Sequence, residues 1–116
     1  MSTVTLYHHP GCSTSRQALA LLREHGVEPR VVEYLKTPPG RDELRRIAAA
    51  TGEPLRALIR TKQPEYAAQG LDDPALADEQ LIDALLATPV LINRPIAVGP
   101  KGARLGRPVE RVLEVL

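Results

Sequence analysis

The chain has 116 residues, 43% hydrophobic and 25% charged, and its 15 basic and 14 acidic side chains leave a net charge of +1. This composition excludes a disordered or membrane-embedded chain, and the near-zero charge excludes a general electrostatic footprint for nucleic acid or an anionic membrane. A single cysteine excludes an internal disulfide, as expected of a reducing compartment.

One domain spanning 1–116 is expected, large enough to bury roughly two thirds of the surface exposed by the unfolded chain. Phe and Trp are absent, so the core must rest on Leu, Ile, Val and Ala. No apolar run approaches the about 20 residues of a membrane span, and the start lacks the basic-then-apolar order of a secretory leader. A cytoplasmic location is therefore expected.

Thr3 to Tyr7 reads as a short strand. From Ser15 onward, Ala18, Leu19, Leu21 and Leu22 recur at helical spacing among Arg16, Gln17, Arg23 and Glu24, predicting an amphipathic helix ended by Gly26. Arg30 to Tyr34 reads as a second strand, and strand, helix, strand at this length predicts a right-handed βαβ unit with parallel strands. Thr37-Pro38-Pro39-Gly40 then opens a stretch, about 37–88, in which only helix and loop are expected. Its helical pieces are Arg41 to Ala50, Leu55 to Arg60 and Asp78 to Ala87, separated by Thr51-Gly52, Gly70 and Asp72-Asp73-Pro74. Strand signals return at Val90 to Asn93, at Ile96 to Val98 and, after the Gly99-Pro100-Lys101-Gly102 turn, at Ala103 to Leu105. Pro108 opens a closing helix. The expected fold class is α/β: a thioredoxin-like mixed sheet flanked by helices, with a helical insertion between the βαβ and ββα halves.

The only cysteine, Cys12, stands where the first strand gives way to the first helix. A free thiol titrates near ~8.5, and a helix N-terminus or a nearby cation lowers that value. Ser13, Thr14 and Ser15 supply hydroxyls and unpaired backbone N–H groups, and Thr14 with Gln17 has the spacing of a capping box. A thiolate in such a cradle is a nucleophile, and the same N–H groups bind oxyanions. A small buried apolar cysteine is the plainer alternative, left open by these residues alone. Ser15 stands where a C-x-x-C motif has its second cysteine, so an intermediate on Cys12 must be resolved by an external thiol. One cysteine and three histidines, two of them adjacent, make no recognisable ligand set, and no metal is expected.

The segments YHHPGCSTSRQALALL, LKTPPGRDEL, PLRALIR, LIDALLATPVLINRPI and GARLGRPVERVLEVL resemble the glutaredoxin-dependent arsenate reductase family. The resemblance runs in order and with similar spacing from Leu6 to Leu116. It implies a thioredoxin-like fold with a helical insertion, and reduction of arsenate to arsenite with Cys12 as nucleophile. It further implies glutathione as co-substrate, glutaredoxin as partner and no tightly bound cofactor. Arg60, Arg94 and Arg107 are implied as the oxyanion-binding arginines, with Ser15 also among the substrate-binding residues. His8 is implied as the catalytic histidine that affects ionisation of the cysteine, and Arg94-Pro95 as a cis bond facing it.

Guanidinium forks suit a tetrahedral anion through paired, charge-assisted hydrogen bonds. Taken singly, the arginines have structural alternatives: solvation at a helix end for Arg60, a strand cap for Arg94 and an ion pair with Glu110 for Arg107. The chain ends at Leu116 where longer members continue, so it resembles a short branch. Gly106 stands where some members carry a second cysteine. Such a branch leaves open another substrate, or slow turnover of arsenate.

Two rival readings use the same residues. A glutathione-linked thiol reductase would employ Cys12 with the arginines serving glutathione carboxylates. A non-catalytic redox sensor that binds RNA polymerase would share the fold but is expected to carry the C-x-x-C switch that Ser15 breaks. Tyr7, Tyr34 and Tyr66 are expected to pack, His9 and His25 to lie at the surface, and Arg41-Asp42-Glu43 and Arg45-Arg46 to form solvated helix faces. A monomer is expected.

Overall fold

Alternation along the first strand decides how the protein is layered. In the computed structural model, which describes residues 3–116, β1 runs Thr5–His8, and successive strand side chains point to opposite faces. Leu6 enters one apolar cluster with Val4, Ala18, Leu22, Ala97, Val112 and Val115. Tyr7 enters the other, with Tyr34, Leu44, Leu58, Leu85 and Ile96 among its members. The sheet is thus sandwiched between two cores.

The first helix, α1 (Ser13–Glu24), leads from β1 to β2 (Arg30–Glu33), which pairs parallel to β1 from Thr5↔Arg30 to His8↔Glu33. α1 ends as its sequence predicts. Gly26 takes φ 78°, its N–H donates to the Arg23 carbonyl, and that of Val27 donates to Leu22, so the last carbonyls are satisfied through a left-handed residue without a Cβ. On the other side of β1, β3 (Ile96–Gly99) pairs antiparallel, and β4 (Gly102–Leu105) pairs antiparallel to β3. The sheet order is β2-β1-β3-β4.

Between β2 and β3 stand α2 (Arg41–Thr51), α3 (Pro64–Ala68) and α4 (Asp78–Ala87). Leu44 and Ile47 of α2 and Leu81, Ile82 and Leu85 of α4 fill the cluster on the Tyr7 face. Tyr7 itself donates a short hydrogen bond to Glu43 of α2. α3 was not foreseen, although Pro64 in its first turn is a start signal.

Other segments depart from the sequence reading. Leu55 to Arg60 is a 3₁₀ turn over Leu55–Leu58, after which Ile59 extends and bridges Ile92. Val90 to Asn93 is not a strand: Leu91 N–H donates to Thr88 and Ile92 N–H to Pro89, which coils Pro89–Leu91 into a 3₁₀ turn. The closing segment Val109–Val115 is 3₁₀ instead of α. Its buried Val112 and Val115 recur every three residues, the repeat of that tighter helix. Among the described residues no helix is long and apolar enough to cross a membrane.

Candidate active site

The strand register gathers the site. Tyr7 opposes Ile96 and Ile96 opposes Leu105, so the residues just beyond these pairs, His8 to Cys12, Arg94 and Arg107, meet at one end of the sheet. The Ile59↔Ile92 bridge brings Arg60 there, fixed by bonds from Arg60 N–H to Leu91 and from Asn93 N–H to Leu58, each 2.7 Å.

Cys12 is the N-cap of α1, with φ −98° and ψ 123°. The helix therefore begins ahead of Thr14, and the expected Thr14–Gln17 capping box does not form. The sulfur occupies the place of a capping oxygen, facing the N–H groups of the second and third helical residues, Thr14 and Ser15. Arg107 Nη2 donates to Cys12 Sγ at 3.7 Å, and Arg107 Nε donates to the Arg94 carbonyl at 2.8 Å. Burial pushes the Cys12 thiol up, but the Ser15 N–H, the Arg94 guanidinium and the Thr14 N–H together hold it below its ordinary value.

Arg94 is 9% exposed, and its Nε and Nη1 are buried without a hydrogen-bond partner. Arg60 is pulled down by burial and by repulsion from Arg94 and Arg107. Among the described residues none of the three forms an ion pair. Arg107 does not pair with Glu110. A buried cation normally demands a counter-charge; the partly buried Cys12 sulfur, when ionised, supplies one.

His8 is buried, with Nδ1 2.6 Å from Ser15 Oγ, which also accepts the His9 N–H at 3.0 Å. Burial, opposed by Glu33, holds His8 below the usual imidazole value. The Ser15 hydroxyl is thus taken up inside the protein, and its backbone N–H is the group that faces the sulfur. The peptide bonds Arg94-Pro95 and Arg107-Pro108 are both cis; the first was expected, the second was not.

The model of the ArsC family matches residues 7–115. The chain belongs to the ArsC family. It is 54% identical to the arsenate reductase of Rhizobium meliloti (strain 1021), over 98% of this chain and 81% of that protein. To the arsenate reductase of Escherichia coli (strain K12) it is 49% identical, over 100% of this chain and 82% of that protein. The solved arsenate reductase from Vibrio cholerae superposes with a TM-score of 0.95 at 44% identity, covering 99% of this chain and 98% of that one. These neighbours carry the thioredoxin-like ArsC fold, which is the expected fold class.

Two residues expected only to pack or to lie at the surface also stand close to the arginines. Tyr34, taken as packing, is fully buried, yet its hydroxyl has no hydrogen-bond partner and lies within electrostatic reach of Arg94, Cys12 and Arg60. Burial raises its pKa, so it stays a neutral phenol. His9, taken as a surface residue, stands edge-on to Tyr34 with centroids 6.3 Å apart, and its Nδ1 accepts the Gly11 N–H at 3.1 Å. That bond places the imidazole proton on Nε2; burial, Arg94 and Arg60 keep the ring neutral by lowering its pKa.

Gly106 is a place of close approach. A Cβ there would fall 2.7 Å from Pro95 Cγ and 2.9 Å from Val112 Cγ1, so any side chain requires displacement. Beside the arginines a cavity of about 140 Å³ is lined by Arg60, Thr61, Lys62, Asn93 and Arg107. A roomier hollow of about 480 Å³, at Thr3, Val4, Gly26, Val27, Glu28, Pro100 and Leu116, lies at the other end of β1 with one charged residue in its wall. Size does not mark the site. Among the described residues no three His, Cys, Asp or Glu side chains are grouped to hold a metal ion.

Proposed function

We propose that the protein reduces arsenate to arsenite through the Cys12 thiolate, with glutathione and glutaredoxin completing the cycle, as a monomer in a reducing cytoplasm. The observation that carries this reading is Arg94, nearly buried beside the thiol with two unpartnered N–H nitrogens and, among the described residues, no carboxylate to neutralise it. The names of the relatives and the family membership support the same chemistry.

Arsenate carries about two negative charges near neutral pH, as phosphate monoesters do. Arg60, Arg94 and Arg107 meet those charges, and the first turn of α1 keeps the sulfur ionised. His8 positions that turn through Ser15. The thiolate forms a sulfur–arsenic bond as one arsenic–oxygen bond breaks, the oxygen leaving as hydroxide or water. A glutathione thiolate then attacks the Cys12 sulfur. A disulfide forms, the sulfur–arsenic electron pair passes to arsenic, and arsenic(V) becomes arsenic(III). A glutaredoxin thiol attacks the glutathione sulfur of the mixed disulfide, releasing the Cys12 thiolate.

The test is arsenate reduction with purified glutathione and glutaredoxin, comparing the parent with Cys12→Ser. Turnover by the parent and background in the variant are expected. Equal inactivity of both contradicts the reading, and a parent that reduces only glutathionylated thiols is a thiol reductase instead.

A further inference from the structure

The cavity beside the arginines differs from the oxyanion cradle in one respect: Cys12 and Arg94 do not line it. An anion held there touches no reacting atom. Its wall nevertheless reads as an anion site, with three cations, Arg60, Lys62 and Arg107, and no carboxylate. Asn93 Oδ1 already accepts the Arg94 N–H at 3.0 Å, which leaves its amide hydrogens as donors, and Thr61 adds a hydroxyl. Lys62 is exposed and forms no ion pair among the described residues. The frame is hydrogen-bonded: besides the bridge beneath Arg60, the Gln63 N–H donates to the Arg60 carbonyl at 3.1 Å and closes a turn through Thr61 and Lys62.

We propose that this cavity is the subsite for a carboxylate of the thiol that resolves Cys12. The inference rests on the reading above that the resolving thiol comes from outside. Arg107 joins the two sites, because its guanidinium both lines the cavity and reaches the sulfur. A thiol-bearing peptide whose carboxylate lies about two residues from its sulfur, an extended span of roughly 7 Å, would place one end in the cavity and the other at Cys12 across the Arg107 side chain. Glutathione has that form. The volume holds a carboxylate with some water, at about 30 Å³ per water. The cations also offset the repulsion between an incoming thiolate and an anionic adduct.

The test avoids arsenate, so its failure is distinct from failure of the arsenate reading. Cys12 attacks oxidised glutathione, forming a mixed disulfide and releasing a glutathione thiolate; the rate is followed by protein mass and compared with that for the uncharged 2-hydroxyethyl disulfide. The ratio of the two rates removes any change in the thiol itself. In Lys62→Ala the ratio is expected to fall about fivefold, the upper range for a solvent-accessible charge pair, and in Lys62→Glu further. In arsenate turnover the same variants raise the KM for glutathione more than the KM for arsenate. An unchanged ratio in both variants, or a KM for arsenate that rises as much as that for glutathione, overturns the proposal.

Discussion

On the outer faces of α2 and α4, Arg41 reaches Glu79 and Asp83, and Arg45 reaches Asp42 and Glu79. At the end of β1, Arg60, Arg94 and Arg107 reach no carboxylate among the described residues. The first group is exposed and neutralised by the protein; the second is more enclosed and is left with uncompensated charge. Surface pairs of the first kind contribute little and are screened by salt. An uncompensated, enclosed cation costs stability, a cost that a bound anion would offset. The same residue type is thus neutralised in one place and left unpaired in the other, and the neighbouring carboxylates tell the two apart.

The contrast breaks most sharply at the sulfur, where Cys12→Ser is expected to abolish turnover. Next come Arg94→Ala and Arg107→Ala. A charge-assisted hydrogen bond contributes about 1.5–3 kcal/mol, so each variant is expected to lose about ten- to a hundredfold in arsenate affinity, read as inhibition of Cys12 alkylation by arsenate.

Tyr34→Phe sharpens the account of Arg94. The hydroxyl makes no hydrogen bond in the structure but lies within electrostatic reach of Arg94, and it is expected to act on that guanidinium or on the anion it holds by about 0.5–1.5 kcal/mol. The KM for arsenate should rise about two- to tenfold with kcat less affected. A lower Tm with unchanged KM would make Tyr34 a packing residue only.

The two histidines set a pH dependence. Burial holds His8 and His9 below the ordinary imidazole value, so on acidification the unfolded chain takes up protons first. Stability present above about pH 6.5 is therefore lost as pH falls toward the lower folded values. Denaturant titrations in this range should show a shallower fall in His8→Gln than in the parent. The smallest effect is expected for Arg41→Ala: a slight drop in Tm that shrinks with added salt, with activity intact.

Much of this contrast was legible in the sequence, for reasons that individual residues show. α1 and α4 follow from their 3.6-residue apolar spacing, and β1 and β2 from short apolar runs joined by a helix of suitable length. Val90 to Asn93 misled because its β-branched and apolar residues suit a strand, while the local bonds from Leu91 and Ile92 back to Thr88 and Pro89 coil it. Leu55 to Arg60 misled because its tertiary partner, Ile92, is remote in sequence. Cys12 announced itself through a strand-to-helix boundary. The arginines required the family resemblance, since nothing within a few residues of Arg60, Arg94 or Arg107 says whether a carboxylate will face it. Tyr34 packs as expected, but its nearness to the arginines, and that of His9, was not legible for the same reason: nothing adjacent in sequence names the group across from the ring.

Cys12 is the only cysteine, so the thiolate's ultraviolet absorbance against pH reports one group. The midpoint is expected below the ordinary thiol range in the parent, higher in Arg94→Ala and unmoved in Arg41→Ala. A single midpoint shared by all three proteins would contradict the claim that uncompensated guanidinium charge holds this sulfur ionised.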